Sequence, residues 1–258
     1  MRVTDLDTSS QPVPYCGPAP VPETLWTEWN FDPFLIIPAL VIGPLLWLRC
    51  RDQAGNPAAR PALGTAYLIL FVAFISPLCA LASALFSARI GHHILLISFA
   101  APLFALAFPA RRSAAGTLTV STIFHAACVW LWHLPVPYSL ALSSDAMYWL
   151  MELSLLGSAI WLWRGILYHS LTSHAPAPGA VLSAIGGTMM QMGFLGALLT
   201  FANRPLFHEH FDTTQAYGLT PLADQQLSGL LMWVPGALPY IVIGVFLTHR
   251  LVARHETS

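Results

Sequence analysis

The sequence predicts an all-α polytopic membrane protein with seven transmembrane helices, its N-terminus outside and its C-terminus cytoplasmic. Three observations carry this. Of 258 residues, 56% are hydrophobic and only 9% charged, with a mean hydropathy of +0.63, whereas soluble domains carry about 25% charged residues. The apolar residues fall in long runs with turn signals between them, which read as separate spans and not as one buried core. The arginines, finally, are distributed unequally between the loops.

Seven runs are long enough to cross a bilayer: Asp32–Leu48, Leu63–Phe86, His92–Pro109, Ala114–Leu134, Ala146–Trp163, Gly179–Phe201 and Gln226–Thr248. The first is short and interrupted by Pro38 and Pro44; Pro77, Pro102, Pro235 and Pro239 predict kinks elsewhere. Residues 1–31, polar, acidic and Pro-rich at their start and without the apolar core of a signal peptide, read as a disordered extracytoplasmic tail. Residues 32–250 form the membrane domain and 251–258 a cytoplasmic tail.

Every basic residue is an arginine. With the N-terminus outside, the inner loops hold Arg49, Arg51, Arg60, Arg111, Arg112, Arg164, Arg250 and Arg254, and the outer segments only Arg2, Arg89 and Arg204. This positive-inside asymmetry sets the orientation. A net charge of −1 without a basic stripe argues against nucleic acid as a partner. The cysteines Cys16, Cys50, Cys79 and Cys128 fall in different segments with no CxxC pair, so neither a disulfide framework nor a thioredoxin-like site is indicated.

The orientation sorts the ten histidines. His169, His174, His249 and His255 fall at the cytoplasmic face and read as surface residues. His92 and His93 open the third span, His125 and His133 lie on the fourth, and His208 and His210 sit in the longest outer loop. Apart from the initiator, all methionines lie in spans five to seven, and Met192 is placed near the depth of His125. Glu152 is a carboxyl inside an apolar run. Polar groups at membrane depth are costly unless paired, which makes His125 and Glu152 site candidates. Imidazole and thioether donors at one depth suit a soft monovalent ion such as Cu(I). The bland alternatives are a hydrogen-bonded core histidine for His125, interfacial rings for His92, His93 and His133, and solvated loop residues for His208 and His210. Met189 and Met192, in TMMQM, also read as packing, and Asp224, after Thr220-Pro221, as a first-turn acid on the helix dipole.

Five strings occur in order: GHHILL, FHAACVWLWHLPVPYSLAL, MYWLMELSLLGSAIWLW, MGFLGALLTFANRPLF and GLTPLADQQLSGLLMWVPG. Over Gly91 to Gly236 they resemble the CtaG-like membrane family of cytochrome c oxidase assembly factors, associated with caa-type haem–copper oxidases. The resemblance implies a multi-pass protein of the bacterial plasma membrane, not an enzyme, that is needed to make an active oxidase and handles copper. It places metal-handling histidines at His93, His125 and His133, with His92 beside them, and an acidic-glutamine motif at Asp224, Gln225 and Gln226. Where many members carry histidines at the head of span five, this chain has Tyr148 and Glu152, so Glu152 is a possible substitute ligand. The expectation is that Cu(I) arrives from an extracytoplasmic donor through His208/His210 or His92/His93. It then rests among His125, His133, Met189 or Met192, with Glu152 offsetting its charge, and passes to a nascent oxidase subunit. A b-type haem-binding redox protein and a metal-free assembly scaffold are the alternatives.

Overall fold

Prolines and small polar side chains set where the helices start and break. The computed structural model describes residues 13–51, 56–110, 114–171 and 178–256. The expectations placed on residues 1–12, Arg111, Arg112 and His174 lie outside the described residues. Helix α1 (Pro33–Arg51) starts with proline in its first turn, behind Asp32, whose Oδ1 accepts a 2.9 Å hydrogen bond from the Phe34 amide. Helices α2 (Ala59–Phe74) and α3 (Leu78–Ala84) are bent by 43° at Ser76-Pro77. There the Ser76 hydroxyl donates to Val72 O and accepts from the Leu78 amide, partnering groups that the break frees.

After one extended residue, Leu85, helix α4 (Phe86–Ile94) runs through a π-helical segment (Leu95–Ala100) into α5 (Ala101–Ala107). The π segment is held from both sides. Trp163 Nε1 donates to Ile97 O at 3.0 Å, and the Ser98 hydroxyl donates to Gly236 O at 3.0 Å. Helix α6 (Ala115–Trp132) stops before Leu134, whose extended backbone is what a residue preceding proline prefers; α7 (Pro135–Ser143) then leaves at 73°. The long helices α8 (Asp145–Leu171), α9 (Pro178–Thr200) and α10 (Pro221–Glu256) complete the chain.

Among the described residues the structure is entirely helical. Five helices are long and apolar enough to cross a membrane, and seven if each bent pair counts as one span. The span Phe86–Ala107 is the most enclosed, with 61% of its residues buried against 6% for α1. It packs against α2, α3, α8 and α10, while α6 closes over α8 and α9. Helices α9 and α10 approach closely at Gly196 and Gly229, where an added Cβ on Gly229 would collide with Gly196 O and Thr200 Oγ1.

Several boundaries move. The third span begins at Phe86, not His92, which carries His92 and His93 about 9 Å into the helix instead of at its mouth. The last helix starts at Pro221 and continues through residue 256, across most of the expected cytoplasmic tail. The disulfide expectation is also corrected: Cys16 and Cys79 are bonded, with Cα atoms 5.2 Å apart. Their separation of 63 residues is closed by the fold and so has no local sequence signature. Over its described part, the segment expected to be a disordered tail is therefore tied down. Cys16 is buried, Tyr15 donates to Asp32, and Tyr217 donates to Pro20 O at 3.0 Å.

In the chain-entropy account, a bridge closing a loop of this length contributes about 4 kcal/mol. Cys16→Ser is expected to lower the thermal midpoint in detergent. Reductant should lower the wild-type midpoint to the same value and leave the variant unchanged.

Candidate functional site

Arg89, His92 and His93 stand at i, i+3 and i+4 on α4, a spacing that gathers side chains on one helix face. Facing them, Tyr148 and Glu152 stand at i and i+4 on α8. All five are at most 1% exposed. Glu152 Oε1 is the meeting point: Arg89 Nη1 lies 3.4 Å from it, His92 Nδ1 3.5 Å and His93 Nε2 3.5 Å. These distances are long for charge-assisted hydrogen bonds, which favour 2.7–2.9 Å. The two histidine–carboxylate distances are near the edge of a coordination tetrahedron, about 3.4 Å for bonds of roughly 2.1 Å. One donor atom each from His92, His93 and Glu152 lie within 4.8 Å of one another, the one such histidine–cysteine–carboxylate group among the described residues.

The surroundings leave donor atoms open. Arg89 Nε and Nη2, both ring nitrogens of His92 and His93, and Glu152 Oε2 have no hydrogen-bond partner among the described residues. The His133 ring stands edge-on to His93 with centroids 5.5 Å apart. Its Nδ1 lies 2.6 Å from Val129 O. A carbonyl only accepts, so Nδ1 carries the proton and the neutral ring presents a bare Nε2. His125 is prepared in the same way. Ser158 Oγ donates to Leu155 O and so accepts from His125 Nδ1 at 2.9 Å, leaving Nε2 as a lone pair.

Aromatic rings roof the cluster. The Arg89 guanidinium lies 5.3 Å from the centroid of Tyr148. Tyr15 stacks on Tyr148 with centroids 4.7 Å apart, next to the disulfide that holds its segment in place. Phe74 packs edge-on to His92 at 4.9 Å.

The expected site residues separate into groups. His92, His93 and Glu152 converge, and His133 adjoins them. His125 does not join that group: it meets α8 at Ser158, six residues beyond Glu152 and about 9 Å deeper. Met192 is buried with its methyl against Gly236 and close to Ile94. Met189 lines a separate apolar groove with Tyr240 and His249 at the other end of α10. His208 is exposed, its side chain 70% accessible, beside Glu209. His210 is buried and shares a 2.7 Å hydrogen bond with the Tyr138 hydroxyl. Burial, and then the charge of Arg89, hold the His210 pKa down to about 4, so at pH 7 this ring is neutral.

The acidic-glutamine motif organises the backbone around the site. Asp224 caps α4 from another helix: Oδ2 accepts from the Phe86 amide at 2.7 Å, and Oδ1 from the Ser87 amide at 3.2 Å and from the Ser87 hydroxyl. The expected role on its own helix dipole is therefore joined by one across the interface. Gln225 Oε1 accepts from the Leu206 amide at 2.7 Å, while its Nε2 donates to Leu199 O and Arg204 O. Gln226 Nε2 donates to Ala202 O at 3.5 Å. Asp224→Ala should cost about 2 kcal/mol by freeing the first amides of α4, with Asp224→Asn intermediate, measured by thermal unfolding in detergent.

A family model, cytochrome c oxidase caa3 assembly factor (Caa3_CtaG), matches residues 45–254. The chain belongs to this family. Neither a curated protein nor a solved structure matches it. In this caa3 assembly-factor chain the matched range includes every residue of the Arg89–Glu152 cluster, His125, His133 and the Asp224 motif, whereas Tyr15 and Cys16 precede it.

Arg89 and the Cys16–Cys79 bridge are features the sequence did not point to, and His169, expected at the surface, is buried in α8. Arg89 was assigned to an outer segment, although its spacing to His92 and His93 on one helix was a usable signal. The bridge had none.

Proposed function

We propose that this assembly factor holds copper at His92, His93 and Glu152, close to the outer face of the plasma membrane, and delivers it to a nascent oxidase subunit without catalysing a reaction. The observation that carries this reading is the Oε1-centred group at 3.4–3.5 Å, with the His93 ring nitrogens lacking any other partner among the described residues and the His92 ring facing only the Ala73 backbone besides. Two imidazoles and a carboxylate suit copper. Without the thioethers of Met189 and Met192 in reach, the donor set is harder than the His/Met set expected for Cu(I).

Arg89 opposes an incoming cation and pairs with Glu152 when none is bound. Loading then exchanges one positive partner of the carboxylate for another and leaves the guanidinium against the Tyr148 ring, so copper binds in opposition to the Arg89 charge. His133, with Nε2 free beside His93, is the next ligand on a ladder of one-at-a-time exchange, and His125 extends it deeper. The cluster lies at the end of the bundle that also holds residues 13–31 and the 201–220 loop. That end is assigned to the outer side by two arguments: a disulfide belongs to an oxidising compartment, and moving Arg89 from the outer loops into the core sharpens the arginine asymmetry. An extracytoplasmic copper donor is the corresponding upstream partner.

The self-contained Arg89–Glu152 pair favours one rival, a scaffold that binds no metal. Elemental analysis of the purified protein after copper loading, alongside oxidase assembly in cells, decides between them. About one copper per chain supports the carrier; assembly competence with no copper bound supports the scaffold.

A further inference from the structure

Glu152 has two faces. Oε1 meets Arg89, His92 and His93, while Oε2 has no partner and the residue also lines a second space. That space is a cavity of ≈ 830 Å³ between α1, α2 and α8, walled by Leu35, Ala39, Leu70, Phe74, Trp149 and Leu156 among others. Glu152 is its one charged lining residue among the described residues. Its flank is α1, only 6% of whose residues are buried and whose Phe34 and Leu40 are exposed, so the cavity is bordered by bilayer.

We infer that this cavity binds a membrane quinol, with the ring at Glu152 and the isoprenoid tail between α1 and α2. The occupant's chemistry follows from its walls. Nearly continuous apolar lining calls for a tail, and a free carboxylate oxygen at one end calls for a hydrogen-bond donor. A neutral hydroxyl can donate to Oε2 whatever partner Oε1 holds, and it adds no further charge at low dielectric as an ammonium would. Glu152 sits seven residues into α8, about 10 Å along the helix, below the level where a phospholipid keeps its phosphate. The stacked pair Phe74–Trp149, centroids 5.4 Å apart, offers a flat wall to an aromatic head. The volume lies within the usual range for small-molecule sites, about 300–1,000 Å³. The inference concerns binding alone and does not depend on copper.

The test is titration of the full chain in nanodiscs with decylubiquinol, and separately with phosphatidylethanolamine added to a phosphatidylcholine disc. Saturable binding of decylubiquinol is expected, and no saturable effect of phosphatidylethanolamine. Glu152→Gln touches the ion pair and threatens folding. Ala39→Trp on α1 fills the cavity from the lipid side without contacting Arg89, His92 or His93. Ala39→Trp should weaken decylubiquinol binding by at least about tenfold while copper content stays at the wild-type value. Absence of saturable decylubiquinol binding, or unchanged affinity in Ala39→Trp, overturns the inference. So does preferential binding of phosphatidylethanolamine. None of these results alters the copper measurement, which reports on the proposed function separately.

Discussion

Arg89→Ala is expected to destabilise the protein by about 3–5 kcal/mol, the usual consequence of leaving a buried carboxylate without its counter-charge. Arg89 and Glu152 are each no more than 1% exposed, and among the described residues no other guanidinium is found at Glu152. Glu152→Ala should cost a similar amount for the reverse reason. The informative variant is the double one. Replacing both with methionine removes both charges while keeping apolar volume, and should recover most of the loss, because the penalty belongs to the orphaned charge and not to the pair. Denaturation by SDS or heat in detergent micelles measures all three. If the two single losses simply add in the double variant, the two residues are not a charge pair.

Copper retention should respond even more sharply to the histidines. Loss of an outer-shell partner typically weakens a metal site 10–100-fold, so removing a ligand should exceed about a hundredfold. His93→Ala leaves one imidazole and a carboxylate, and His92→Ala does the same. Both are expected to lose copper at micromolar free metal and to fail in oxidase assembly. His125→Ala and Met192→Leu alter residues outside the Oε1-centred group, so they should retain copper. His125→Ala should nevertheless slow transfer, since its bare Nε2 is placed below the site for ligand exchange. Arg89→Gln should bind copper more tightly than wild type wherever it folds, because it removes the competing cation.

These contrasts also show what was legible before the fold was known. Hydropathy located the crossing segments, because bilayer thickness sets a length that apolar runs must meet. It placed their ends less well. The expected third span starts at His92, whereas the carboxylate of Glu152 lets the Arg89 guanidinium sit inside the helix, about one turn past Phe86. His92, His93 and Glu152 were all visible as polar residues in apolar surroundings. Which of the candidates face one another depends on helix rotation, and depth alone could not supply it. His125 and Met192 match the expected depth but meet Ser158 and Gly236 instead. Asp224 illustrates a related limit. Thr220-Pro221-x-x-Asp is a sound local helix start, yet the carboxylate's main partners are amides on α4, more than a hundred residues earlier. The Cys16–Cys79 bond likewise joins positions that only the folded chain brings together.

X-ray absorption on the copper-loaded protein tests the central claim most directly. Two imidazole nitrogens and one oxygen within about 2.2 Å, with no sulfur in the first shell, is the result expected for copper held by His92, His93 and Glu152. A sulfur scatterer near 2.3 Å that disappears in Met192→Leu, with spectra unchanged in His93→Ala, would contradict it.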